Sequence, residues 1–98
     1  MAKLERNFQY SLIKELKDRF PGCIVMKNDA DYIQGIPDLT ILYNDKWAML
    51  ECKRSNSASK RPNQEYYVSK ADNMSFARFI SPENREAVLD ELQQALQS

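Results

Sequence analysis

Leu4, Phe8, Leu12 and Leu16 recur at every fourth position, with Ile13 and Phe20 beside them. That spacing gathers apolar side chains on one face and predicts an amphipathic helix from Lys3 to Phe20. Pro21-Gly22 ends it, since neither residue favours continued helix. Cys23-Ile24-Val25-Met26-Lys27 is short and β-favouring and predicts a first strand, followed by the polar loop Asn28-Asp29-Ala30-Asp31. Gly35-Ile36-Pro37 then leads into Asp38-Leu39-Thr40-Ile41-Leu42-Tyr43. After Asn44-Asp45 comes Lys46-Trp47-Ala48-Met49-Leu50-Glu51-Cys52-Lys53. Two β-rich runs around a two-residue turn signal predict a hairpin, and Pro37 fits at the strand's beginning, where no ladder hydrogen bond is lost.

The small polar stretch Ser55-Asn56-Ser57-Ala58-Ser59 reads as a surface loop. Pro62 can open a helix running to Asp72, Ser75–Ile80 alternates as a strand would, and Pro82 marks the start of a last helix. Val88, Leu89, Leu92, Ala95 and Leu96 supply that helix's apolar stripe. The expected order is helix, three strands, helix, strand, helix, an α/β fold without internal repeat or linker.

Ninety-eight residues hold one hydrophobic core, so residues 1–98 form a single domain that must carry the whole function. With 43% hydrophobic and 29% charged residues the chain is of ordinary globular composition. No apolar run nears the ~20 residues that span a bilayer, and Met1-Ala2-Lys3-Leu4-Glu5-Arg6 has no apolar signal core; the expectation is a cytoplasmic protein with no membrane partner. Cys23 and Cys52 are too few for a disulfide scaffold or a four-thiolate site, and read as buried small hydrophobes. There is no histidine, which removes serine triads and histidine-metal chemistry. Catalysis, if present, runs on carboxylates, lysine and an oxygen-bound metal.

If Asn44-Asp45 is the two-residue loop, Tyr43 pairs with Lys46, and counting outward sets Asp38 directly across from Glu51. Both carboxylates then share one face, and Lys53, two residues beyond Glu51, shares it too. Opposed carboxylates repel, and a divalent cation such as Mg²⁺ or Mn²⁺ offsets that, taking one or two protein carboxylates and keeping waters that a phosphate can displace. The backbone carbonyl of Cys52 could supply a further oxygen. Singly, Asp38 reads as a turn residue and Glu51-x-Lys53 as a solvated strand face. Their convergence on an otherwise apolar strand is what points to a site.

Gly35-Ile36-Pro37-Asp38-Leu39 followed by Leu50-Glu51-Cys52-Lys53 resembles the signature of the PD-(D/E)XK nucleases. The Gly-x-Pro-Asp form, Gln64 and the small size look most like the VRR-NUC branch, found as stand-alone viral proteins and as domains of repair nucleases. The resemblance implies a restriction-endonuclease-like αβββαβ core, a central mixed sheet flanked by helices, with an extra C-terminal helix. It implies that Asp38 and Glu51 hold the metal, that Lys53 positions or activates the attacking water, that Glu5 completes the metal site and that Gln64 lies beside it. A viral origin would place the protein in the bacterial host's cytoplasm. Where the branch is named for a Val-Arg-Arg stretch, this chain has Ala77-Arg78-Phe79-Ile80-Ser81, so substrate preference does not carry over.

The formal net charge is zero, but Lys53, Arg54, Lys60, Arg61, Lys70 and Arg78 are opposed only by Glu65 and Asp72, while residues 83–98 are acidic. Arg54, Lys60, Arg61 and Lys70 are the expected contacts to DNA phosphates, giving salt-sensitive binding that follows DNA structure more than sequence. The expected activity is a metal-dependent deoxyribonuclease, selective for branched or junction DNA. A homodimer would present two sites to two strands. The alternatives are an exonuclease, a non-catalytic nucleic-acid-binding module with the same fold, and a structural protein acting through its acidic last helix.

Overall fold

The computed structural model describes the backbone of residues 3–98 and the side chains from Glu5 onward. Leu4, expected at the head of the first apolar stripe, lies outside the described side chains. Three helices and four strands follow in order: α1 (Lys3–Arg19), β1 (Ile24–Lys27), β2 (Leu39–Tyr43), β3 (Lys46–Cys52), α2 (Pro62–Met74), β4 (Ala77–Ile80) and α3 (Arg85–Gln97). The strands form one mixed sheet in the order β1-β2-β3-β4, antiparallel except for the parallel β3–β4 pair that α2 connects. The α/β architecture and the expected order of elements are both present.

Each face of the sheet follows from the period of two along its strands. Leu39 and Ile41 of β2 and Ala48, Leu50 and Cys52 of β3 point to one side. There they meet Phe8, Leu12, Leu16 and Phe20 of α1 and its end, and Val88, Leu89, Leu92 and Leu96 of α3. The other side carries a smaller cluster, Val68 and Ala71 of α2 with Ala77, packed by Trp47, Met49 and Phe79. The β1–β2 end of that side is left open: Ile24 and Met26 are exposed.

Three element boundaries differ from expectation by two residues or more, and four others by a single residue. The second helix runs on past Asp72 to Met74, and Asp72 Oδ1 accepts the N–H of Ala77, so the strand expected from Ser75 begins two residues later. The last helix begins at Arg85 rather than at Pro82. Residues 81–84 form a turn in which Asn84 accepts the Ser81 N–H at 2.7 Å and donates to the Phe79 carbonyl at 3.2 Å, and this closure holds Pro82 outside the helix. At the hairpin, Asn44 takes a left-handed φ of 56°, which asparagine tolerates at modest cost.

The acidic tail is answered within the chain. Arg19 of α1 meets Glu86 at 3.3 Å and Asp90 at 3.4 Å, Arg85 meets Glu15 at 2.6 Å, and Arg78 meets Glu91 at 3.5 Å. Burial pushes the Glu15 carboxyl up, but Arg85 and Arg19 together outweigh it and hold that carboxyl below its usual range. Both cysteines are free, Cys52 buried and Cys23 half-buried. No helix among the described residues is long and apolar enough to cross a membrane.

Candidate active site

The hairpin register is the one the two-residue turn demands: Tyr43 pairs with Lys46 and Leu39 with Leu50, so the next position outward sets Asp38 opposite Glu51. Side chains extend the ladder there. Asp38 donates its N–H to Glu51 Oε1 at 3.1 Å, and Cys52 donates its N–H to Asp38 Oδ2 at 2.9 Å. Each carboxylate is therefore pinned by the strand of the other. In an extended strand a residue's C=O lies along the same edge as its N–H, which turns the Cys52 carbonyl toward Asp38 as well. The Cys52 thiol points the other way, into the main core, and burial pushes its pKa up.

A second anchor comes from α2. Gln64 Oε1 accepts from Lys53 Nζ at 2.7 Å and from the Arg61 N–H at 3.1 Å, while its Nε2 donates to Glu51 Oε2 at 3.1 Å. Only one orientation of the amide satisfies all three, because the reverse would set NH₂ against ammonium and oxygen against carboxylate. Lys53 Nζ stands 3.9 Å from Glu51 Oε2. Both side chains are buried, at 10% and 6% exposure, so this pairing offsets desolvation that neither would tolerate alone.

Electrostatically the two carboxylates remain under strain despite the nearby Lys53 ammonium. Burial, and then the neighbouring Asp38 charge, raise the Glu51 carboxyl to about 8. Burial also raises Asp38, against the Cys52 N–H that favours its charged form, with Glu5 adding repulsion. Glu5, Asp38, Glu51, Lys53, Arg54, Arg61 and Gln64 line one open cleft of about 460 Å³. Asp38 and Glu51 also line a smaller cavity of about 100 Å³ on the side of Gly35 and Asn63.

These donors suit a hard cation. They are carboxylate and carbonyl oxygens, with no imidazole or accessible thiolate, and their mutual repulsion is what a divalent ion relieves. Among the described residues no three acidic or thiol groups gather into a ligand cluster. Asp38 and Glu51 would be the principal ligands, a pair that suffices for Mg²⁺, which keeps several waters. Glu5 reaches the same cleft and acts on both carboxylates through its charge.

The four basic residues expected to contact DNA separate into three groups. Arg54 and Arg61 line the cleft. Lys60 lies over the Phe79 ring, 5.2 Å from its centre, in a small recess behind Lys53. Lys70 is not brought to the cleft at all: six residues on from Gln64, it lies roughly 9 Å further along α2 and on another face, beside Tyr66.

Sequence reasoning passed over three supports. Asn28 Nδ2 donates to the Pro37 carbonyl and to Thr40 Oγ1, both at 2.8 Å, tying the loop before Asp38 to the sheet. Gly35 lies so close to Asn63 that a Cβ would stand 2.8 Å from it. Asn56, in the loop after Lys53, is held by Glu83 and Ser81. A polar loop asparagine and a lone glycine carry no sequence signal of this kind, since each partner is distant along the chain. Comparison of the chain with known protein families, with curated proteins and with solved structures finds no match to any of them.

Proposed function

We propose that the protein is a metal-dependent deoxyribonuclease of the PD-(D/E)XK type, an endonuclease that selects DNA by structure. The observation that carries this reading is the opposed Asp38–Glu51 pair, Asp38 half-buried and Glu51 buried, with Lys53 joined to it through Gln64. A bound divalent cation supplies Lewis-acid polarisation of the phosphoryl group and acidifies water. Asp38 and Glu51 would hold that ion, and the fixed Lys53 ammonium would orient the attacking water or meet charge developing on the phosphate. Arg54 and Arg61 at the cleft draw in the DNA backbone, so affinity falls as salt rises. A pure binding module gains nothing from two opposed carboxylates where phosphates must approach.

One site cuts one strand, and cutting two strands in step at a junction takes a two-fold dimer. Mass measurement in solution reads that directly. The decisive assay uses plasmid, single-stranded and four-way DNA with Mg²⁺, Mn²⁺ or EDTA, alongside Asp38→Ala and Lys53→Ala. Cutting that needs the ion and is lost in both variants supports the reading; cutting that survives either substitution rejects the site.

A further inference from the structure

The carboxylate pair lies between two cavities, and the open cleft accounts for only one of them. The other is bounded by the loop from Ala30 to Ile36 and the first turn of α2, with Asp38 and Glu51 as its floor. We propose that this second cavity is a nucleobase subsite, admitting the base of one unpaired nucleotide next to the scissile phosphate. The proposal rests on the nuclease reading and gives it a substrate class.

Size is the first argument. About 100 Å³ holds several waters or one flat ring system, and is too small for a base pair. Lining chemistry is the second. Ile36 and Ala30 supply apolar wall, and Gln34 and Asn63 supply two carboxamides, each with a donor and an acceptor. Carboxamides match the paired donor and acceptor on a base edge, and although Arg61 also borders the cavity, the Asp38 and Glu51 carboxylates that floor it disfavour a phosphate there.

The third argument is that the wall is built to stay open. Asp29 organises the loop, accepting the Asp31 N–H on Oδ1 at 2.8 Å and those of Tyr32 and Ile33 on its carbonyl at 3.1 and 3.2 Å. Gly35, at φ 92°, then lies directly on Asn63, where any side chain would collide with backbone and Cβ atoms at 2.8 Å. Glycine is what lets the loop close on α2 and form the cavity between them.

Position completes the case. A phosphate held at Asp38 and Glu51 is one sugar away from its own base, and the cavity opens beside those two carboxylates. In a duplex that base is stacked and paired inside, so only an unpaired or extruded nucleotide can fill the subsite. Selection of branched, flapped or single-stranded DNA then has a stated origin, the free base itself.

The test uses the full chain and a flap oligonucleotide whose cut position has been mapped. The base next to that position is present in one substrate and absent, as a tetrahydrofuran abasic residue, in the other. Wild type should lose about tenfold in kcat/KM on the abasic substrate, and Gln34→Ala/Asn63→Ala should cut both substrates alike. Binding is read separately with 2-aminopurine at that position and Ca²⁺ in place of Mg²⁺. Its emission should change on binding the wild-type protein, and that change should disappear in Gln34→Ala/Asn63→Ala. Equal cutting of the two substrates by wild type, or unaltered emission, overturns the subsite while ion-dependent cutting leaves the nuclease reading standing. An emission change that needs Gln34 and Asn63, in a wild-type protein that cuts nothing, supports the base subsite and overturns the nuclease reading instead.

Discussion

The two faces of the β2–β3 hairpin share one backbone and one register but do different work. Toward α1 and α3 the hairpin presents Leu39, Ile41, Ala48 and Leu50, all fully buried. Toward α2 it presents Met49 and Trp47 at one end and Asp38 and Glu51 at the other, with Lys53 just beyond. The first face holds the domain together by removing apolar surface from water. The second is thinner, and at its charged end spends stability on like charges held close together. Stability and chemistry are thus assigned to opposite sides of the same two strands, and substitutions on each side should report on different properties.

The largest expected effect is on the charged face. Asp38→Asn should lower cleavage by about a thousandfold, the scale of a lost ion ligand, without lowering the melting temperature. A fall in both would show that the two faces are not separable. On the apolar face Leu50→Ala should cost about 2–5 kcal/mol in denaturant unfolding and leave the folded fraction able to cut.

Next comes pH. The Glu51 carboxyl is raised from an ordinary value of 4.5 to about 8, so the folded state binds a proton that the unfolded chain has released. Without metal, that contribution is complete below about 4.5 and is lost as pH rises through about 8. Thermal unfolding in EDTA should therefore show falling stability across that window. Mg²⁺ should restore more at pH 8 than at pH 6, and Glu51→Gln should flatten the slope.

Gln64→Ala should act more gently, freeing Lys53 and lowering kcat by about tenfold, the weight of one or two hydrogen bonds to charged groups. Rescue of kcat by Gln64→Glu is not expected, because a carboxylate cannot donate to Glu51. The smallest effect belongs to Lys70→Ala, which should change DNA affinity by less than about twofold, whereas Arg61→Ala should weaken binding and reduce its salt dependence.

Much of the site was legible because its signals are local. The Asn44-Asp45 turn sets the count that opposes Asp38 and Glu51, and the period of two then carries Lys53 to the same face. Gln64 is singled out through family resemblance, yet its two hydrogen bonds to Lys53 and Glu51 could not be read from the chain, since they join α2 to residues eleven and thirteen positions earlier. Lys70 was misplaced for the opposite reason: nearness in sequence to the site says nothing about which way a helix turns its side chains. Pro82 misled in the same manner, because a proline permits a helix start without requiring one, and Asn84 closes the turn first.

The order of elements, the apolar stripes and the strand register were determined by the sequence alone, because periodicity and turn chemistry act between neighbours. Tertiary structure decided which of two faces each helix covers, that Gly35 rests on Asn63, and that the carboxylate pair opens onto two cavities rather than one. Those features depend on the distances between segments far apart in the chain, and such distances are settled only when the segments pack.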